Sequence, residues 1–407
     1  MTAIERPGLR RWLLALCLGL PLLGAQGGAR AQAEPYRVFD ARPVITEGPY
    51  LVALSDTAVT AVWMTDAPSH ARLRLTEGAT VREVEPQVDG LVPVGLRHVV
   101  TVTGLTPGTR YGYEAIATRV VKLNPYWPDK GLSASSEAAS FTTFSAAQPR
   151  AAFAVMTDTH EDTGRIRRLM KLIDWRRTDA LIHLGDAFDW VASEEQVFRN
   201  WLRPTIAALG PGKPLLFARG NHELRGPFAR QFAGYVPTPE GRLYYARAIG
   251  PVHLMVLDTG EDKPDDTNVY AQLNRTVPYR EAELAWLREQ VRSDAHLARA
   301  PFRVVAMHQG DWGWLPDGGA AWRALANQAG VDLVLAGHDH EFSYAPPDAA
   351  HGYHLLVLGQ DQLARVEATA RLLTVEVVTS SGAPVHTLKI PARALTRAGP
   401  TLNGALP

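Results

Sequence analysis

Asp158, His160, Asp186, Asp189, Asn221, His222, His308, His338 and His340 are the residues of this chain best suited by type and spacing to chemistry. They fall, in order, in five short blocks: Asp158-Thr159-His160, Gly185-Asp186-Ala187-Phe188-Asp189, Gly220-Asn221-His222-Glu223, His308, and Gly337-His338-Asp339-His340. Each block stands where an apolar run stops. Carboxylate, amide and imidazole donors in this number suffice for two cations without any sulfur ligand. Two cations a few ångströms apart lower the pKa of a shared water and neutralise phosphoryl oxygens, which is a means of hydrolysing phosphate esters.

Such blocks need a frame that brings them to one rim. From Arg150 onward the chain carries short continuous apolar runs at 151–156, 180–184, 215–218, 252–257, 302–307 and 331–336. Amphipathic patterns lie between several of them: Ile166, Leu169, Met170 and Ile173 share one helix face, as do Leu284, Leu287 and Val291. Strands buried on both faces and alternating with helices predict a layered α/β fold. In such a sheet functional side chains collect past the carboxyl ends of the strands, where every block begins. Gly185, Gly220 and Gly337 are expected to let the backbone turn sharply out of the strands. Near the end, 372–378 and 385–390 read as a hairpin around Ser380-Ser381-Gly382-Ala383-Pro384.

Residues 43–144 differ in pattern. Period-two alternation, as in 58–63 and 98–102, breaks often at Gly, Pro and Asp and predicts an all-β sandwich. Trp63 suits a buried position on an early strand. Residues 124–139, with Pro125, Pro128 and Gly131, read as a long loop between the last two strands.

The chain has 407 residues, 46% hydrophobic and 21% charged, with zero formal net charge. These values fit two globular domains and offer no basic surface that would make nucleic acid an obligate partner. Arg6, Arg10 and Arg11 precede an apolar stretch from Trp12 to Leu23, and Ala31-Gln32-Ala33 follows. Residues 1–33 therefore read as a signal peptide, too short in its apolar part to span a membrane stably, and the mature protein is expected in the periplasm or secreted. Arg10 and Arg11 leave a twin-arginine export route open. Residues 1–33 hold four Arg and one Glu, so a chain without them carries three net negative charges. Cys17, the single cysteine, would leave with them, which excludes disulfides and thiolate metal sites from the mature protein.

The five blocks resemble the calcineurin-like metallophosphoesterase superfamily, whose pattern is D-x-H, G-D-x-x-D, G-N-H-[DE], H and G-H-x-H. The resemblance implies a four-layer α/β/β/α sandwich over residues 150–392. It also implies ligand sets: Asp158, His160 and His340 for one metal, Asn221, His308 and His338 for the other, and Asp186 bridging them. Iron, manganese and zinc all suit this set. His222 would contact the phosphoryl group or protonate the leaving alkoxide, and Asp189 would hydrogen-bond His222 and keep it protonated. Leu105-Thr106-Pro107-Gly108-Thr109-Arg110-Tyr111 resembles the fibronectin type III tyrosine corner, which assigns such a sandwich to residues 40–146.

A β-sandwich ahead of this unit is similar to purple acid phosphatases and related secreted phosphatases. Those enzymes carry D-x-G and a metal-binding Tyr in G-D-x-x-Y, where this chain has His160 and Asp189; no tyrosinate–iron colour is expected. Trp190 stands where the Ser/Thr protein phosphatases carry Arg. The resemblance implies an exported phosphomonoesterase acting on a small phosphate ester by in-line attack of a metal-bridging hydroxide. A phosphodiesterase, or an inert surface-binding module, is the alternative. The pattern is silent on oligomeric state. Glu161, Glu223 and Asp339 adjoin the ligands and read as supporting or solvated groups, and His183 as a core histidine. Trp190, Trp312 and Trp314 read either as a wall for a leaving group or as packing, and Arg219 and Asp311 as open candidates for substrate contact.

Overall fold

Strands that are apolar on both faces must be covered on both faces, and this requirement organises the chain from Arg150 onward. The computed structural model describes residues 37–393; the leader expected over 1–33 lies outside the described residues. No helix among the described residues is long and apolar enough to cross a membrane.

The N-terminal strands are β1 (Ile45–Val52), β2 (Val59–Glu77), β3 (Thr80–Val84), β4 (Gly95–Val102), β5 (Arg110–Lys122), β6 (Asp129–Ser135) and β7 (Ala139–Thr142). Those that follow are β8 (Arg150–Met156), β9 (Ala180–His183), β10 (Pro214–Phe217), β11 (Tyr245–Ile249), β12 (Val252–Val256), β13 (Phe302–Gln309) and β14 (Leu333–Gly337). The last are β15 (Ser343–Ala345), β16 (His354–Val357), β17 (Gln362–Thr369), β18 (Leu372–Thr379) and β19 (Pro384–Pro391).

Beyond residue 150 one sheet runs β19-β18-β17-β8-β9-β10, and the second runs β11-β12-β13-β14-β16-β15. In the first, β8, β9 and β10 are parallel, with Phe153 opposite Ala180 and Leu215 opposite Leu181. In the second, β12, β13, β14 and β16 are parallel. Phe153, Val155 and Ile182 from one sheet pack with Leu254, Val304 and Leu335 from the other in one buried core. Ile166, Leu169 and Trp201 cover the outer face of the first sheet, against Met156 and Leu181. Leu284, Leu287, Trp322 and Leu325 cover the second, against Val305 and Val334. The result is the four-layer α/β/β/α sandwich that the resemblance implies. Each such apolar side chain, once buried, contributes about 1.5–3 kcal/mol before the entropy of ordering is subtracted.

The helix Thr163–Lys171 shows how local sequence directs the chain off the site. Asp162 caps it by accepting the Arg165 N–H, Ile166, Leu169 and Met170 form its buried face, and Arg168 and Lys171 sit in its last turn, where cations oppose the helix dipole.

The N-terminal strands form the expected fibronectin type III-like sandwich. β2 is the strand the others share: residues 59–65 pair with β1 and β4, and residues 69–76 with β5, across a register shift. Trp63 is fully buried. The Tyr111 hydroxyl accepts the Thr106 N–H at 2.9 Å, which is the tyrosine corner. Two features differ from the sequence reading. Residues 129–135, expected to be loop, form β6 on β5; a Ser-rich edge strand with Gly131 lacks the apolar alternation that would mark it. Gly131 is needed because the Ala41 carbonyl passes only 2.2 Å from where its Cβ would stand. The second difference is that β1 also pairs in parallel with β10, through Leu51 and Val52 opposite Pro214 and Leu215, so the hydrogen-bond ladder runs unbroken from the sandwich into the sheet of β8, β9 and β10.

Tyr111→Phe removes one buried hydrogen bond far from the metal-ligand blocks. It is expected to lower stability by about 1 kcal/mol in urea unfolding and to leave metal content unchanged.

Candidate metal centre

The five blocks converge at the carboxyl ends of β8, β9, β10, β13 and β14. Backbone bonds lace the exits together: Asp158 N–H to Gly185 O at 3.0 Å, His160 N–H to Asp186 O at 3.1 Å, and Glu161 N–H to Ala187 O at 2.9 Å. Asp158, His160, Asp186, His338 and His340 all have positive φ, between 41° and 77°. Non-glycine residues adopt this conformation at a cost, and such strain collects where a side chain must be aimed.

The glycines act differently from expectation at two of three positions. Gly185 has φ +94°, as a turn out of the strand requires. Gly220 and Gly337 are not left-handed. A Cβ on Gly220 would lie 2.1 Å from Asp186 Oδ1, and one on Gly337 would lie 2.0 Å from Thr157 Oγ1 and 2.5 Å from Asp158 Oδ2. They are glycine because a carboxylate occupies the space.

Two groups of ligand atoms form from the expected ligands, and a third, His160, Asp189 and His222, shares His160 with the first of them. In the first, His340 Nε2 lies 3.4 Å from Asp158 Oδ1 and 3.1 Å from His160 Nε2, and His160 Nε2 lies 3.9 Å from Asp158 Oδ1. Donors around one cation at about 2.1 Å stand about 3–3.5 Å apart, so two of these spacings fit as they stand and the third is a few tenths of an ångström wide. The second contains Asp186, His308 and His338. Asp186 Oδ2 is 3.0 Å from His308 Nε2 and 4.0 Å from His160 Nε2, so it faces both groups. Asn221 is buried between His222 and the turn at Gly220.

Orphaned polar atoms test whether cations belong here. Asp158 Oδ1, Asn221 Oδ1 and His308 Nε2 are buried, and apart from the approach of His308 Nε2 to Asp186 and of His340 Nε2 to Asp158, within the ligand group itself, none has a hydrogen-bond partner. Their partner atoms are already fixed: Asp158 Oδ2 accepts from Thr157 Oγ1 at 2.7 Å and from the His338 N–H at 2.9 Å, while His308 Nδ1 donates to Leu184 O at 2.7 Å. Buried ligand atoms of three types with no partner outside their own group fit a metal pair.

Electrostatics says the same. Burial alone would lower the His308 pKa, but the Asp186 and Asp158 carboxylates push it up to about 10. The Asp186 carboxyl, which burial would raise, is held well below the usual range by His308 and His222. A proton stands in for a cation.

Glu223 is the residue whose importance the sequence understates. Its buried carboxylate accepts the N–H groups of Asp186 at 2.9 Å, Ala187 at 2.7 Å and Gly220 at 2.8 Å. Burial and the nearby Asp186 charge push it up to about 7. His183 is a buried core histidine: it meets Thr159 Oγ1 and the Gly185 N–H, and burial takes its pKa down to about 3. Glu161 ties the site loop to Gln196 and Asn200.

Asp189 is placed otherwise than expected. Its carboxylate, on an exposed loop, bonds His160 Nδ1 at 2.8 Å, and His222 meets instead the Asp189 backbone carbonyl, through Nδ1 at 2.6 Å. A carbonyl only accepts, so His222 Nδ1 carries the hydrogen; its Nε2 faces Arg225 NH1 at 3.2 Å and lies 3.8 Å from Asp186 Oδ2. Of the open candidates, Arg219 pairs with buried Asp258 at 2.8 Å and Asp311 caps the Gly313 N–H. Trp312 is buried, stacked on Trp322 and donating to the Tyr353 hydroxyl, whereas Trp190 is exposed.

Residues 151–342 match the family of calcineurin-like phosphoesterases. A human relative, tartrate-resistant acid phosphatase type 5, is 22% identical over 284 residues, covering 58% of this chain and 86% of its own. Among solved structures, the purple acid phosphatase PPD1 from seeds of yellow lupin (Lupinus luteus) superposes with TM-score 0.60 at 15% identity, covering 86% of this chain and 74% of that one. PhoD superposes with TM-score 0.51 at 12% identity, covering 86% and 92%.

Two outcomes follow from the charges and the clamp. Glu223→Ala leaves three buried N–H donors unpaired, so it should cost at least about 3 kcal/mol in denaturant unfolding of the metal-free protein and abolish metal retention. Metal binding must displace the His308 proton, so affinity should rise about tenfold per pH unit from neutrality and level off above the His308 pKa; calorimetric metal titrations in buffers of different ionisation enthalpy measure the proton released.

Proposed function

We propose that this chain, a calcineurin-like phosphoesterase over residues 151–342, is an exported phosphomonoesterase that works with two metal ions. The observation that carries the reading is the set of buried ligand atoms on Asp158, Asn221 and His308 with no partner outside the ligand group, together with a carboxylate, Asp186, that reaches both donor groups. Asp158, His160 and His340 would hold one cation and Asn221, His308 and His338 the other, with Asp186 between them. Iron, manganese and zinc all fit a nitrogen and oxygen set of this kind.

When bound, the cations acidify water and neutralise phosphoryl charge. This chain's own residues do the remainder. Asp189 fixes His160 through Nδ1, and the Leu184 carbonyl fixes His308 in the same way, which holds each ring in its tautomer and orientation. His222, tied through Nδ1–H to the Asp189 carbonyl, holds its other nitrogen beside Asp186 and against Arg225 NH1, and it meets a phosphoryl oxygen or protonates the leaving alkoxide only once that nitrogen has gained a proton. In the net reaction the ester P–O bond breaks, the oxygen of water joins phosphorus, and the departing alkoxide ends with the proton that the water gives up.

A small phosphate monoester is favoured by the similarity to acid phosphatases, and export by the leader-like residues 1–33. The donor set lacks no member of the family pattern, which speaks against an inert binding module.

Elemental analysis of purified protein should give two metals per chain, and Asp186→Ala should lose at least one of them together with turnover of a chromogenic aryl phosphate by about three orders of magnitude or more. Undiminished turnover by that variant contradicts the assignment.

A further inference from the structure

Arg225 lies outside the five blocks, yet it is a cation held firmly beside them. Its Nε donates to Glu261 Oε1 at 3.3 Å, and its NH2 donates to Glu261 Oε2 at 2.7 Å and to Asp262 Oδ1 at 3.1 Å. Glu261 is itself buried and takes further bonds from the Tyr270 hydroxyl at 2.9 Å and from Asn274 Nδ2 at 3.3 Å. Tyr270 and Lys263 also hold Asp262. A planar guanidinium gripped along one edge has its other edge aimed.

That other edge is NH1. Its contact is His222 Nε2 at 3.2 Å, the nitrogen that lies 3.8 Å from Asp186 Oδ2. NH1 carries two hydrogens, and among the described residues it has no second hydrogen-bond acceptor. An aimed N–H therefore remains at the edge of the metal group, on a side chain that is charged at every working pH.

We propose that Arg225 is a specificity-determining residue that takes the third non-bridging oxygen of a phosphate monoester. This inference rests on the two-metal reading above. A monoester has three such oxygens and two negative charges near neutral pH; a diester has two and one. If the cations were to neutralise two oxygens, only the monoester would offer a further charged oxygen to a donor held to one side. Glu261 and Asp262 balance the guanidinium charge, so its contribution is a directed hydrogen bond rather than a diffuse attraction, and the substrate must supply an oxygen in the right place to gain from it.

The test compares metal-loaded wild type, Arg225→Ala and Arg225→Lys. The measurements are turnover of an aryl phosphate monoester and of its bis-aryl diester, calorimetric binding of inorganic phosphate, and metal content. Arg225→Ala is expected to keep both metals, to weaken phosphate binding by about 10- to 100-fold and to lower the monoester-to-diester ratio of kcat/KM by a similar factor. Arg225→Lys retains a charge near Glu261 and tests the same ratio if the alanine variant does not fold; it should recover only part of the loss, because an ammonium cannot make the fork and the aimed N–H together. Equal losses on both esters with unchanged phosphate affinity make Arg225 a scaffold residue and overturn the proposal. So does a wild type that prefers the diester. A wild type with two metals that cleaves neither ester sinks the hydrolase reading itself, and the proposal with it.

Discussion

The Glu223 carboxylate, buried among backbone amides, is the constraint on which the site depends. Its bonds to the amides of Asp186, Ala187 and Gly220 hold the exits of β9 and β10 against one another. The same closeness puts the His222 N–H on Asp186 Oδ1 at 3.0 Å and forbids any side chain at Gly220. A clamp of this kind lets two neighbouring turns, each strained alone, fix each other. It also leaves Asp186 Oδ2 with no backbone donor, and that oxygen is the one turned towards both donor groups.

Left-handed backbone recurs at the ligands themselves, at Asp158, His160, Asp186, His338 and His340. Asp, Asn and His tolerate this conformation better than other non-glycine residues, so the residues that bind are also the ones that bend most cheaply. The strain is offset by the packed strands behind it. Apolar side chains on both faces of β8, β9, β13 and β14 anchor the turns to a scaffold that cannot relax without opening two cores.

Much of this was legible in the residues. Apolar runs of strand length marked β8 through β10 and β12 through β14, and the ligand blocks stood at their ends because sheets present functional groups there. What stayed hidden had physical reasons. The Ser-rich β6 is an edge strand that takes its order from β5 and so lacks periodicity of its own. The Asp189 carboxylate was expected on His222 and is found on His160, because spacing cannot tell a side-chain oxygen from a backbone carbonyl a few ångströms away. Glu223 and Arg225 gave no separate signal: the first is one acid beside a ligand, and the second acts through Glu261 and Asp262, more than thirty positions further along the chain.

The parallel pairing of β1 with β10 gives the N-terminal sandwich a standing beyond that of an appended module. Were the chain severed between β7 and β8 and the sandwich lost, β10 would become a raw outer strand, and unpaired strands of this apolar composition invite self-association. The two halves are thus poorly suited to independent recombination. A shuffled relative that kept the ligand blocks but exchanged the sandwich would need a new strand in β1's place before its catalytic half could stay soluble.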